Sequence, residues 1–172
     1  MRLLLFLWCT LLGGYVLGAA ETGEWLSDEL NCALTLPIGA DWTTLTPPSP
    51  AVKAVAQTRD GSSSVILVVT PLPDKSTKLD DKFIKGFDGG YFPPGKSKKL
   101  SGVQLVIRGV PAYKSAGELY IGEKIVRRSM TLWIADGKVY QLTAMKLGAD
   151  PTEDAAIRAC LSSFRFLKQP TD

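Results

Sequence analysis

Asp136-Gly137, set between two apolar-rich runs, constrains this chain more than any other pair of residues. The tightest turn between adjacent antiparallel strands needs positive φ at both central residues, and Asp-Gly is among the few pairs that supply it. The surrounding stretch, Ala112 to Leu147, then parses as three strands: Ala112–Ile121, Lys124–Ala135 and Lys138–Lys146, with Gly122-Glu123 as the other turn. This antiparallel meander is expected at the centre of one sheet.

The flanking segments supply the remaining elements. Ala51–Thr58 and Ser64–Pro71 make a hairpin around Arg59–Ser63. Val65-Ile66-Leu67-Val68-Val69 is apolar at every position, which marks a strand covered on both faces and predicts that it lies centrally. Thr77–Phe87 reads as a helix, with Thr77 and Asp80 as a capping box and Leu79, Phe83, Ile84 and Phe87 on one side. Gly89-Gly90 should stop it, and Pro93-Pro94-Gly95 should prevent its resumption. Lys96–Arg108 is a further strand, broken by Gly109-Val110-Pro111. A second helix spans Asp150–Phe164: Asp150 caps, Pro151 takes the first position, and Ile157, Cys160 and Leu161 share its apolar stripe. Cys32–Ile38 is the first strand, Glu21–Asn31 a helical turn or lead-in arm, Gly39–Pro50 a loop, and Phe164–Phe166 a short extended end. The fold class expected is α+β: an α/β/α sandwich whose central antiparallel sheet, of about six strands, is flanked by both helices.

The first twenty residues are of another kind. Met1-Arg2, the apolar run Leu3–Leu17 and the small residues Gly18-Ala19-Ala20 have the layout of a secretory signal peptide over residues 1–20. The run falls short of the roughly 20 apolar residues that span a bilayer. Cys9 sits inside it rather than at the cleavage point, which argues against lipidation. One domain, Glu21–Asp172, is expected to remain. Arg2 is the only charged residue removed, so a net charge of +3 becomes +2. That is too small to suggest nucleic acid or an acidic membrane surface as partner. Cys32 and Cys160 then form an even pair in an exported chain. Strand parity turns Cys32 inward with Leu34 and Leu36, and helical period turns Cys160 inward, so a disulfide between them is expected.

The chain has no histidine. Ser–His and Cys–His nucleophile pairs are therefore impossible, and the commonest transition-metal ligand is missing. No phosphate-binding or dinucleotide motif occurs. Neither a cofactor nor a metal is expected. Asp80, Asp81 and Asp88 near Gly89-Gly90 lack the spacing and closing Glu of a calcium loop, and read as a solvated helix face. Lys96, Lys98, Lys99, Arg127 and Arg128 form a candidate basic patch, although lysines also guard edge strands against mispairing. Trp42, Tyr91, Phe92 and Trp133 could line a groove, but aromatics so placed are more often core or loop anchors.

The opening Leu36-Pro37-Ile38-Gly39-Ala40-Asp41-Trp42 and the closing Ser163-Phe164-Arg165-Phe166 after a helix carry a resemblance. Over roughly Asn31 to Leu167 the chain resembles the PsbP-like superfamily, which includes extrinsic photosystem proteins and DcrB-like bacterial envelope proteins. The resemblance implies an antiparallel sheet between helices and a non-enzymatic accessory or binding role. Metal sites in some members use histidine, so no functional residue is carried over. The resulting expectation is an exported domain, periplasmic rather than fully secreted, with an envelope protein as partner and membrane contact only through its leader. The alternatives are a lipid- or envelope-surface-binding module using the lysines, and a hydrolase working with carboxylates and hydroxyls.

Overall fold

Left-handed turn residues fold the meander back on itself. The computed structural model describes residues 23–170, so the signal-peptide reading lies outside the described residues. In chain order the elements are β1 Glu24–Ser27, β2 Cys32–Thr35, β3 Trp42–Thr44, β4 Val52–Thr58, β5 Ser63–Pro71, α1 Asp81–Tyr91, β6 Ser97–Ile107, β7 Val110–Ile121, β8 Lys124–Ala135, β9 Lys138–Leu147, a 3-10 turn Pro151–Glu153, α2 Ala155–Ser163 and β10 Arg165–Phe166. Asp136 and Gly137 take φ of 49° and 66°, and Arg108 and Gly109 take 51° and 81°. Both pairs are two-residue turns of the kind that matches strand twist. The break expected at Gly109-Val110-Pro111 is confined to the Arg108-Gly109 turn, and Val110 and Pro111 already belong to β7. Pairing of β7 with β8 begins only at Ala112, so the missing N–H of Pro111 costs that ladder nothing.

Seven strands pair in the order β3-β4-β5-β9-β8-β7-β6, every neighbour antiparallel. The fold is α+β, and the sheet is larger than the six strands expected. One face carries α1, whose Ile84 packs with Tyr113, Met130, Leu132 and Val139. The other face is covered by α2 together with a separate three-stranded sheet, β1-β2-β10. This second sheet replaces the expected helix-only layer. It forms because Glu24–Ser27 is a strand that pairs with β2, and because β10 returns to the other side of β2. The loop expected over Gly39–Pro50 likewise contains an edge strand, β3.

β5 is internal, third in the order, while β9 takes the middle place. Val65, Leu67 and Val69 face the α2 side, and Ile66 and Val68 face the opposite side. Continuous apolarity in Val65–Val69 therefore has the expected cause. Trp133 stacks on Phe164 with ring centroids 4.4 Å apart. The Tyr140 hydroxyl donates to the Leu30 carbonyl at 2.9 Å, which satisfies the one polar end of that buried ring.

Both helices start elsewhere than expected. Asp80, not Thr77, caps α1, accepting from the Phe83 N–H at 2.7 Å. The helix runs through Gly89-Gly90 to Tyr91. Each interior glycine costs about 1 kcal/mol of helix propensity, and packing of the last turn on the sheet offsets that. The second helix divides. Asp150 caps only the short 3-10 turn, and Asp154 then caps α2 through the N–H groups of Ala156 and Ile157. Two aspartates four residues apart thus each start a helical segment.

The expected Cys32–Cys160 disulfide is corrected. Both residues are buried in the same core and both are free thiols. They pack as small apolar side chains, as free cysteine commonly does. Burial pushes each thiol up to about 12. Unfolding the chain from Glu21 onward without reductant is expected to expose two titratable thiols, and the folded protein none at about pH 8. The unfolded thiols ionise near about 8.5. Above that pH the unfolded chain binds fewer protons than the native one, so stability is expected to fall between about 8.5 and 12. Denaturant midpoints across that range, with and without Cys32→Ala and Cys160→Ala, measure the thiol share.

Candidate functional site

The charged residues of the expected basic patch do not gather. Strand alternation puts Lys99 and Arg128 on the α1 face, and Lys98 and Arg127 on the other. Lys96 is exposed in the turn that precedes β6. Arg127 pairs with Glu118 at 3.2 Å in a half-buried bridge. Lys99 pairs with Asp88, which also accepts from the Tyr113 hydroxyl at 2.8 Å. Hydrogen bonding to Asp88 leads the causes that push the Lys99 pKa up. Gly102 makes room for this group, since a Cβ there would overlap the Tyr113 hydroxyl and the end of Lys99.

Arg128 is the unusual member. It is 8% exposed, its guanidinium lies over the Tyr91 ring at 4.4 Å and the Phe92 ring at 5.1 Å, and it donates to the Tyr91 carbonyl at 3.1 Å. Burial lowers its pKa from the usual arginine value, opposed by Tyr91. The arginine therefore donates to the α1 C-terminus, where the last carbonyls are negative. The Tyr91 hydroxyl also bonds the Thr143 hydroxyl of β9 at 3.3 Å, from helix to sheet. Gly117 lies under the Phe92 ring. Tyr91 and Phe92 thus anchor a helix end rather than line a groove, and Trp133 is core.

Most of the described carboxylates are engaged in local structure. Asp81 accepts from Gln104 at 2.6 Å, and Asp60 and Asp74 close turns through Ser62 and Ser76. The Ser62 N–H leads the contacts that hold Asp60 down to about 2. Among the described residues no group of three or more His, Cys, Asp or Glu could hold a metal ion, and no helix is long and apolar enough to cross a membrane.

At the turn end of the sheet lies a cleft of about 740 Å³. Its floor comes from Val110 and Pro111 of β7 and Ile134 and Ala135 of β8. Its walls are the loop Lys75–Leu79, the turns at Gly109 and Asp136-Gly137, and Gln169-Pro170. The loop is held by Asp74, which accepts from both the N–H and the hydroxyl of Ser76, and by the Leu72 N–H bonding the Gly137 carbonyl at 2.9 Å. The stem of Lys75 lies on Gly137, where a Cβ would meet it at 2.9 Å. Asn31 ties the opposite wall, bonding Asp136 at 3.2 Å and the backbone of Lys168. The cleft thus presents an apolar floor, with Lys75 and Lys78 on its wall and Asp136 tethered by Asn31. Sequence reasoning missed it because its walls come from four segments far apart in the chain. The one local signal was the cluster of positive-φ turns at a single sheet end.

A smaller apolar groove of about 430 Å³ runs between Thr35–Ile38 and α2, and Cys160 lines it.

This architecture is a PsbP-like fold. It superposes on the solution structure of cyanobacterial PsbP from Synechocystis with a TM-score of 0.59 at 16% identity, covering 90% of this chain and 98% of that one. A Bacteroides thetaiotaomicron structure gives 0.59 at 9% identity, covering 87% of this chain and 50% of that one. PA94, a Pseudomonas aeruginosa protein of unknown function, gives 0.53 at 13% identity, covering 88% and 100%. No protein-family model matches the sequence, and no curated protein matches it significantly.

Gly117→Ala is expected to destabilise the protein by about 1–3 kcal/mol, the usual cost of overpacking. Its Cβ would overlap the Phe92 ring and approach the Lys98 carbonyl to 2.6 Å. A lowered urea midpoint with unchanged slope checks this.

Proposed function

We propose that this chain is a non-enzymatic binding domain that serves as an accessory protein in a cell envelope of periplasmic type. The turn-end cleft is where it takes hold of an envelope protein partner. The observation that carries this reading is the cleft itself: an apolar floor with lysines on its wall. The likeness in fold to cyanobacterial PsbP supports an accessory role outside the cytoplasm. The apolar leader in the sequence supports export. The split of the five cations between two faces and a turn weighs against a lipid-facing role, because they do not present one broad basic face to a bilayer.

The test uses the chain from Glu21 onward as bait in an envelope extract. A protein partner should be captured, and capture should fall at least tenfold when Lys75→Glu and Lys78→Glu are combined. Both side chains are largely exposed, so thermal stability should stay within the error of measurement. Anionic liposomes should retain little of either version. Turnover of a generic ester, peptide or glycoside substrate by the purified domain would overturn the reading, as would capture indifferent to the double substitution.

A further inference from the structure

The two edges of the large sheet are built very differently. β3 is three residues long, too short to template another chain. β6 is eleven residues long and, among the described residues, pairs only with β7. Natural edges of that length are usually blunted by charge, proline or a bulge. Here the blunting devices sit in the first half. Lys98 and Lys99 lie there, and the register shifts between Lys99 and Ser101. The second half, Ser101–Ile107, pairs regularly and carries no charge, no proline and no bulge. Val103 is 55% exposed and Val106 66%.

The direction of its backbone groups follows from the turn. Arg108-Gly109 closes on the pair Ile107 and Val110, and a pair flanking such a turn exchanges its backbone hydrogen bonds. Counting back by twos, Leu105, Val103 and Ser101 bond β7. Gly102, Gln104 and Val106 therefore turn their N–H and C=O groups away from the sheet.

We propose that Ser101–Ile107 is a docking edge for an extended, acidic segment of a partner protein, which adds as an eighth strand. Three alternating donor–acceptor pairs in a row are matched by a strand and by little else. The charge specifies which strand. From Lys96 to Arg108 the chain holds Lys96, Lys98, Lys99 and Arg108 and no Asp or Glu; Lys99 pairs with Asp88, and Arg108 donates to the Ser162 carbonyl at 3.1 Å, so among them Lys99 alone is matched by an opposite charge in a salt bridge. Exposed Lys114 stands beside Val103 on β7. A second copy would bring the same cations against these, and like charges facing across strands repel. An acidic strand with apolar residues at alternate positions would instead meet Val103 and Leu105 along one face and the lysines at the end. This edge is separate from the cleft, so either can fail without the other.

The probe is a synthetic heptapeptide of alternating valine and threonine preceded by two glutamates, with a version carrying two lysines as control. Amide hydrogen exchange is followed in the chain from Glu21 onward. The acidic peptide should slow exchange at Gly102, Gln104 and Val106 at least tenfold, and the lysine version should not. Val106→Pro removes an outward N–H and leaves the β7 ladder intact. It should weaken binding at least tenfold with Tm unchanged. Lys96→Glu with Lys98→Glu should reverse the preference between the two peptides, a readout that survives if the proline variant folds poorly. The proposal is overturned by no protection at millimolar acidic peptide, by protection confined to the cleft, or by equal response to both peptides. Protection that grows with protein concentration alone would assign the edge to self-pairing and overturn it too.

Discussion

Register across the seven-stranded sheet is the constraint on which everything else rests. Side chains alternate at each step along a strand, so a slip of one residue would exchange the two faces. Turns at Arg108-Gly109, Gly122-Glu123 and Asp136-Gly137 each leave only two residues between paired strands, and so set the pairing of β6, β7, β8 and β9. That pairing places Met130, Leu132 and Val139 under α1, and Trp133, Tyr140 and Leu142 under α2 and the small sheet. Both faces are buried, so neither tolerates the exchange.

The α1 face contains a polar row within an otherwise apolar layer. Arg128, Ser115, Gln141 and Thr143 are all buried on it. Among the described residues, Arg128 Nε, Ser115 Oγ and Asp88 Oδ1 have no hydrogen-bond partner, and such groups cost stability where they occur. The arrangement persists because one arginine, stacked beneath two aromatic rings, holds the end of a helix that ends in two glycines and an aromatic pair. Burying its charge would be prohibitive without those rings and the Tyr91 carbonyl. Gly117 and Gly102 are the spaces that let the rings and the Lys99–Asp88–Tyr113 group approach the strands.

Surface features divide along the same logic. The ends of the meander strands, with their tight turns, leave room for a cleft walled by loops that owe their shape to Asp74 and Asn31. The sides of the sheet are closed at β3 by brevity and left open at β6. A scaffold that ties most of its carboxylates into caps, turns and ion pairs retains shape and charge as its means of recognition. That is consistent with a binding role.

The amino-acid sequence by itself determined the elements whose signals are local. The meander strands fell within two residues of their observed ends, because turn chemistry and period-two alternation act over neighbours. Double-sided burial of Val65–Val69 was legible for the same reason: apolarity at every position leaves a strand no solvent face. Helix starts were less legible, since Thr77 and Asp80 are equally good caps in isolation and Asp150 and Asp154 compete for one helix. Only tertiary structure chose between them, through what each first turn could pack against. It also decided that Glu24–Ser27 is a strand, because a four-residue segment is stable there only beside β2. The fate of the cysteines was of this kind. Inward-facing parity was readable for Cys32 and Cys160 separately, whereas bonding depends on how strand and helix meet. The basic patch dissolved because adjacent residues such as Lys98 and Lys99, or Arg127 and Arg128, point to opposite faces of a sheet. The cleft was invisible beforehand because its walls share no local pattern, only a common end of the folded sheet.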